Sequence, residues 1–443
     1  MGCGKTLTAI AVIGALYDAG KVRKLLVVAP TTVVPVWPQE MDEKADFPFV
    51  SAVMLGTKQK RLKAYSEMMR YADARKDEPL RMVCINYQEI FRDGIQQELA
   101  QYDADAIILD EGHYIKNHSA ATAKAAYSLG DKCRYKLLLT GTPMTGRQDD
   151  LYGEFRFVDS KVFGTNFYAF RNRYCVMGGF QNKVIIGEKN HDELVRKLHG
   201  VSLRVTKAEA LDLPEETFET RYVELGKSEA EVYEQLRKTG LAELSAGDVT
   251  APLVITKLLR LQQVCGGFAQ PDDAAAPVQI GSSKLDALRD IVSDVVLDEE
   301  QKLVIFARFL PEVHAIRAML EDMKIQHVCI YGAVKQEERG EIVRQFQEDP
   351  EIKVFVAQIA TAGLGITLHA ASTAVFYSKD FNYANVEQAR ARIHRIGQRH
   401  PCTYIDLVAR GTIDERIQES LDKKQDLSAG ICDRWRDYFM KEQ

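Results

Sequence analysis

Ala106-Ile107-Ile108-Leu109-Asp110-Glu111-Gly112-His113 sets a short apolar run directly against two carboxylates and a glycine. Four apolar residues with no polar alternation suit a strand buried on both faces, as in a parallel sheet. Working outward, Leu25–Ala29, Met82–Ile85 and Tyr135–Leu139 are runs of the same kind, with helical or polar segments between them. That alternation predicts an α/β fold, a mainly parallel sheet flanked by helices. In such sheets functional residues gather beyond the carboxyl ends of the strands, which is where Asp110 and Glu111 fall. Pro30-Thr31-Thr32 follow the first strand, with Trp37 and Glu40 beyond, and Thr140-Gly141-Thr142-Pro143 follow the last. Small hydroxyl residues in these places suit contact with a nucleic-acid backbone. Trp37 reads equally well as a core or lid aromatic.

Ahead of the first strand, Gly2-Cys3-Gly4-Lys5-Thr6 leads into an apolar helix, Leu7–Tyr17, closed by Gly20. Glycines at a helix N-terminus let backbone N–H groups close on phosphate. Lys5 would reach the β- and γ-phosphates, and the Thr6 hydroxyl would bind Mg²⁺. This is the back half of a phosphate-binding loop, so the chain is expected to be truncated within that motif. Beside such a loop, Asp110 can hold Mg²⁺ through water, while Glu111 orients and deprotonates the attacking water. A solvated acid pair is the plainer alternative for any Asp-Glu alone, and the strand end favours the functional one. Met1-Gly2-Cys3-Gly4-Lys5-Thr6 also fits an N-myristoylation pattern with Cys3 placed for a second acyl chain. Lys5 with the run Leu7–Leu16 faintly suggests a secretory signal. Both patterns are short and permissive and yield to the phosphate loop.

From about Arg147 to Ser283 the strand–helix alternation lapses. Amphipathic helices are expected at Leu151–Phe157, Asp192–His199 and Glu229–Leu244, the last with Ser228 and Glu231 as a capping box, and Ala269–Ser283 reads as a linker. A second α/β pattern follows, with strands at Leu303–Phe306, His327–Tyr331, Val354–Val356, Ala374–Tyr377 and Thr403–Leu407. Between the third and fourth lies a hydroxyl-rich glycine loop, Thr361-Ala362-Gly363-Leu364-Gly365-Ile366-Thr367, able to approach a phosphate closely. Before the last strand comes Gln388-Ala389-Arg390-Ala391-Arg392-Ile393-His394-Arg395-Ile396-Gly397-Gln398. Wound as a helix, it places Gln388, Arg392 and Arg395 on one stripe and Ala389, Ile393 and Ile396 on another, with Arg390 and His394 pointing a third way. Only Glu387 is near enough in sequence to pair with these arginines. Mostly uncompensated guanidinium groups favour a phosphate. The charged tail from Ile413 to Gln443 (Lys423, Lys424, Arg434, Arg436) is helical in pattern; it either braces the first α/β pattern, meets a nucleic acid, or is a solvated surface helix.

With 443 residues the chain is long enough for two or three domains, each with its own core. A net charge of −5 excludes a uniformly basic nucleic-acid binder, so any such contact must come from a local groove. The eight cysteines are scattered without a C-x-x-C pair, which argues against a zinc site or a disulfide framework. No apolar run approaches membrane-spanning length.

Taken in order, these segments resemble the Swi/Snf-type DNA translocase ATPases of helicase superfamily two, DEAD/DEAH-like, in a compact phage or bacterial form. Gly2–Thr6 looks like motif I, Val27–Glu40 like motif Ia, and Ile85-Asn86-Tyr87 is similar to the segment following it. Asp110–Asn117, with its Ile-Lys-Asn tail, looks like motif II and Leu137–Pro143 like motif III. Lys302–Phe309 and Tyr331–Phe346, with Gly332 and Arg339, resemble the motif IV region. Ala360–Leu368 is similar to motif V, and Gln388–Gln398 to motif VI. Two departures stand out. Met144-Thr145-Gly146-Arg147 replaces the usual asparagines, and Ser378-Lys379-Asp380-Phe381-Asn382-Tyr383 replaces Asp-x-x-Trp-Asn-Pro.

The resemblance implies two RecA-like P-loop lobes, residues 1–146 and 284–412, with helical insertions and a linker over 147–283 and a helical brace over 413–443. It implies ATP and Mg²⁺ as cofactors. Lys5, Asp110, Glu111, Gln388, Arg392 and Arg395 would be catalytic, the last two as arginine fingers. Gly2, Gly4, Lys5, Thr6, Gly363 and Gly365 would line the nucleotide, with Thr6 and Asp110 on the metal. Double-stranded DNA would meet Pro30, Thr31, Trp37, Lys116, Asn117, Thr140 and Thr361, mainly through its backbone. The expected protein is a monomeric motor without a membrane, working in bacterial or phage-infected cytoplasm at the nucleoid, with a DNA-bound protein as a further target. A strand-separating helicase and a catalytically impaired DNA-binding relic stay open as alternatives.

Overall fold

Each of the four apolar runs of the amino-terminal half is a strand, and a fifth lies among them. The computed structural model describes residues 3–141, 148–178, 184–246, 251–270, 276–364, 366–379 and 382–432. In chain order the first five strands are β1 (Lys24–Ala29), β2 (Phe49–Met54), β3 (Leu80–Asn86), β4 (Ala106–Asp110) and β5 (Tyr135–Leu139). They form one parallel sheet in the order β2-β3-β1-β4-β5. Because successive side chains point to opposite faces, central β1 serves two cores. Leu25, Val27 and Ala29 pack with the helix Lys5–Asp18 and Trp37, and Leu26 and Val28 with Ile107, Leu109 and the helices of the other face. Edge strand β2 keeps a half-buried alternation instead, burying Val50, Ala52 and Met54.

The chain forms two compact units, Met1–Ala210 with Lys424–Gln443, and Leu211–Lys423. In the first, β6 (Cys175–Gly178) and β7 (Val184–Glu188) make an antiparallel hairpin beyond the sheet. The helices Leu151–Val158 and His191–His199 bury Leu151, Tyr152, Phe155, Leu194, Val195 and Leu198 in a satellite core.

The second unit opens with β8 (Glu216–Val223), and β9 (Phe268–Ala269) pairs antiparallel with β10 (Val278–Gln279). Strands β11 (Leu303–Ala307), β12 (His327–Ile330), β13 (Val354–Gln358), β14 (Thr373–Phe376) and β15 (Cys402–Ala409) follow. The sheet is parallel, in the order β12-β13-β11-β14-β15-β8. The stretch expected to hold only helical insertions and a linker therefore also supplies strands, one of them part of this sheet. The expected capping box at Ser228 and Glu231 is corrected too. The helix runs from Lys227 to Ala246; Ser228 Oγ donates to the Ile280 carbonyl, and buried Glu229 accepts from the Gly226 N–H at 2.7 Å and from Ser283. No helix among the described residues is long and apolar enough to cross a membrane.

Charged side chains are buried where β14 and β15 end. Lys379 pairs with Asp406 and donates to Gln418 of the helix Ile413–Cys432 at 3.1 Å, and Lys284 pairs with Asp414 of the same helix. Glu312, 1% exposed, accepts from the N–H groups of Phe309 and Arg308 and from the Ser378 hydroxyl. Burial pushes its carboxyl up to about 7 from an unfolded value of 4.5. A raised carboxyl contributes stability that is full below the unfolded value and is lost as pH rises through the folded one. Glu312→Gln should therefore gain on the wild type by on the order of 2 kcal/mol between pH 5 and pH 8. Parallel denaturant melts at the two pH values measure that change, and a pH-independent difference would refute it.

Candidate functional site

Lys5 opens the first helix, and Gly4 is its N-cap at φ +74°, with no side chain capping the terminus. A Cβ on Gly4 would meet nothing within 4 Å, so the left-handed backbone alone favours glycine here. An uncapped helix N-terminus points its first N–H groups and its dipole outward, an arrangement suited to phosphate. Gly2 lies outside the described residues.

In-register pairing aligns the ends of β1, β3, β4 and β5 along one edge. There Asp110 is 7% exposed; its Oδ2 accepts from Trp37 Nε1 at 3.0 Å and its Oδ1 from the Glu111 N–H at 3.0 Å. Burial pushes the Asp110 carboxyl up to about 6, with Glu111 adding to the rise and Trp37 and Lys5 opposing it. Lys5 thus stands near enough to Asp110 for its charge to be felt, and a bound cation would further favour the carboxylate. Glu111 adopts a left-handed conformation at φ +54°, sparsely populated for a residue with a Cβ and common at functional turns. It turns the chain out of β4 into the 3₁₀ turn Gly112–Ile115, with His113 Nδ1 at 3.4 Å from Glu111 Oε2. Beneath, Tyr87 donates to the Asp110 carbonyl at 2.8 Å and stacks on Tyr114 with centroids 4.9 Å apart. The oxygens of Thr6 and Asp110 are hard ligands of the type Mg²⁺ takes.

The turn after Glu111 is backed by the helix Leu151–Val158 at Gly153, whose carbonyl accepts from Tyr127 at 3.1 Å. A Cβ at Gly153 would overlap the backbone oxygens of Ile115 and Lys116. Gly153→Ala should cost about 2 kcal/mol or more, lowering the melting temperature of the first unit by roughly 4–8 °C. Calorimetry checks this; an unshifted transition would mean that the helix does not hold the acidic turn.

Several residues expected at nucleic acid sit elsewhere. Trp37 is 1% exposed and bound to Asp110, so it is a core residue that orients a carboxylate. Pro30 is buried, its carbonyl accepting from the Val33 and Val34 N–H groups. Thr361 is 8% exposed and donates to the Gln358 carbonyl at 2.6 Å. All three are buried and hold partners within the fold in this structure. Exposed Thr31 accepts from Asn86 at 3.0 Å, exposed Asn117 accepts from the Ser119 N–H and hydroxyl, and Lys116 and Thr140 are half-buried.

In the second unit, Gln388–Gln398 is only partly helical. The helix Tyr383–Arg390 ends there, and Arg392 and Arg395 lie on the turns that follow. The expected common stripe of Gln388, Arg392 and Arg395 therefore does not form; Gln388 is buried in the helix at 6% exposure. Ile396, expected beside buried Ile393, is 65% exposed. Nor are the arginines uncompensated: Arg390 bonds Glu387 at 2.9 Å, as sequence proximity suggested, and Arg395 Nη1 donates to the Ile366 carbonyl at 3.1 Å.

The loss of helix has a geometric reason. The turn is sewn onto the segment after the glycine loop. The Leu368 N–H donates to the Arg392 carbonyl at 2.8 Å, and the Gln398 amide donates to the carbonyls of Ala371, His369 and Ile393. Gly397 at φ +100° lets the chain pass against His369, whose ring a Cβ would overlap. Burial, then the charges of Arg395 and Arg399, hold His369 below the ordinary imidazole value. Gly363 lies in the 3₁₀ turn Ile359–Leu364, and Gly365 lies outside the described residues.

Sequence reasoning missed Tyr87, Gly153 and His369 as supports of the site. Asn86-Tyr87 and the glycines carried a signal only through what they touch.

The model of the SNF2-related domain matches residues 1–267, and that of the helicase conserved C-terminal domain matches 283–397. The chain belongs to the SNF2 family, a class of helicase-like ATPases. It is 26% identical over 96% of its length to the uncharacterized ATP-dependent helicase MG018 of Mycoplasma genitalium. It is also 26% identical to the DNA annealing helicase and endonuclease ZRANB3 of Mus musculus, over 96% of this chain. The putative ATP-dependent helicase/translocase YwqA of Bacillus subtilis is 28% identical over 97%. The chain spans 39%, 38% and 46% of these three proteins, less than half of each. Among solved structures, the SWI2/SNF2 ATPase core of Sulfolobus solfataricus in complex with dsDNA aligns with 97% of this chain and 88% of its own, at 25% identity and a TM-score of 0.42.

Proposed function

We propose that the chain is a DNA-stimulated ATPase that moves along duplex DNA without separating its strands, each of its two units acting as one lobe of the motor. The observation that carries this reading is the set at the edge of the first sheet: an uncapped helix N-terminus with Lys5, beside the buried Asp110 and the strained Glu111. Gly4 and Lys5 hold the triphosphate, and Thr6 and Asp110 hold its Mg²⁺, which when bound neutralises charge on the phosphates. Glu111 orients water and takes its proton, and Arg392 and Arg395 stabilise the charge that develops on the transferring phosphoryl group. DNA is gripped mainly through its backbone, at Thr31, Lys116, Asn117 and Thr140 among others, so binding is sequence-tolerant and weakens steeply with salt. The motor works as a monomer in bacterial or phage-infected cytoplasm at the nucleoid, and a DNA-bound protein is its target for displacement.

ATP hydrolysis measured with and without duplex DNA tests the reading, with Lys5→Ala as the control. No stimulation by duplex would overturn it. Displacing a triplex strand while failing to open a forked duplex is the expected pair of results; opening the fork would make it a strand-separating helicase.

A further inference from the structure

The chain enters the second unit at Leu211, and its first strand there is β8, lying on the outer edge of the sheet beside β15. Of its eight residues only Val223 is buried, so apolar burial anchors it weakly. The backbone ladder with β15 holds it along its length, and a second, side-chain hold falls on the arginine-bearing turn. His394, 5% exposed, has Nδ1 at 3.1 Å from Glu216 Oε2 and Nε2 at 2.9 Å from the Pro214 carbonyl oxygen. Both partners are acceptors, so each ring nitrogen that carries a proton has an oxygen placed to receive it.

Two residues further along, Phe218 stacks on Tyr404 at 5.3 Å with the Arg390 guanidinium 4.8 Å over its ring, while the Tyr404 hydroxyl donates to the Arg390 carbonyl at 2.9 Å. The start of β8 thus grips the segment at Arg390 and His394, on either side of Arg392 and next to Arg395. The other flank of the turn is held by Ile366, Leu368, His369 and Ala371. Removing the His394 contacts would take away the tie between β8 and the turn itself and leave the grip on Arg390.

We propose that His394 is a positioning residue. With Glu216 it ties the strand by which the chain enters the second unit to the turn bearing Arg392 and Arg395, and so sets where those guanidinium groups stand during hydrolysis. This rests on the roles proposed for the two arginines. It gives β8 a part in coupling, since a shift in the entering strand moves the turn.

The test compares the full chain with His394→Ala, Glu216→Gln and the double variant. Glu216 sits on the exposed edge strand, so Glu216→Gln keeps an acceptor and the fold while removing the charge. Hydrogen exchange over residues 391–398 should quicken in both single variants. Their kcat for ATP should fall by about tenfold with KM within about twofold, and the double variant should be no worse than His394→Ala. Unchanged exchange and kcat in Glu216→Gln, or losses that multiply in the double variant, would overturn the proposal. If the wild type hydrolyses no ATP on duplex DNA, the functional reading fails, and the exchange data alone decide whether the latch exists.

Discussion

Glu111→Gln is expected to bind ATP with Mg²⁺ as the wild type does and to hydrolyse it about 10²–10⁴-fold more slowly. Glutamine keeps the size of the side chain and can still orient water through its amide oxygen, but it cannot accept the water's proton. The backbone argues for the choice of residue. A left-handed φ of +54° is held here although a side chain makes it costly, and the Ile115–Lys116 stretch beyond it is pressed by Gly153. Such strain persists only where the surroundings over-determine the geometry, so the glutamine variant should keep both the turn and the melting temperature. Steady-state hydrolysis with duplex DNA, beside equilibrium binding of a fluorescent ATP analogue, checks the separation. A kcat within tenfold of the wild type would transfer the base to another group, with His113 at 3.4 Å the first candidate. A loss of nucleotide affinity equal to the loss of rate would instead place Glu111 in ground-state binding.

The parallel sheets were legible because their central strands are buried on both faces. Ala106–Leu109 and Leu303–Phe306 leave no polar residue to confuse the period, and acids stranded at such an end are conspicuous. Of the edge strands, Tyr135–Leu139 and His327–Ile330 were legible and two others were not. Phe49–Met54 alternates weakly around Ser51, and Glu216–Val223 is polar at most positions, held by its neighbour's backbone and by His394 rather than by its own apolar pattern. The helical reading of Gln388–Gln398 failed for a related reason. Its period was helical, but backbone and side-chain bonds to residues 366–371 outweigh local propensity and draw the chain into turns after Arg390. Trp37 was ambiguous because an aromatic beside a strand end says nothing about which way it points. Only the bond to Asp110 decides that.

Arg395→Ala is expected to lower kcat by about 10³-fold or more while leaving ATP affinity within a few-fold, because a guanidinium that acts on developing charge is felt in the transition state and little in the ground state. The structure adds a complication that the variant series can resolve. Arg395 also donates to the Ile366 carbonyl, so alanine removes a tether of the turn along with the charge. Arg395→Lys keeps the charge and can reach one acceptor, but lacks the planar fork that bonds a carbonyl and a phosphoryl oxygen together. If the charge alone matters, lysine should restore most of the rate. If the fork matters, it should recover less than about tenfold of the loss. The Gln398 amide, bound to three carbonyls, should hold the turn whichever residue stands at 395. Alanine should then leave hydrogen exchange of residues 396–398 unchanged despite the loss of rate. Exchange that rises with the fall in kcat would make Arg395 a structural tether, and the finger would be Arg392 alone.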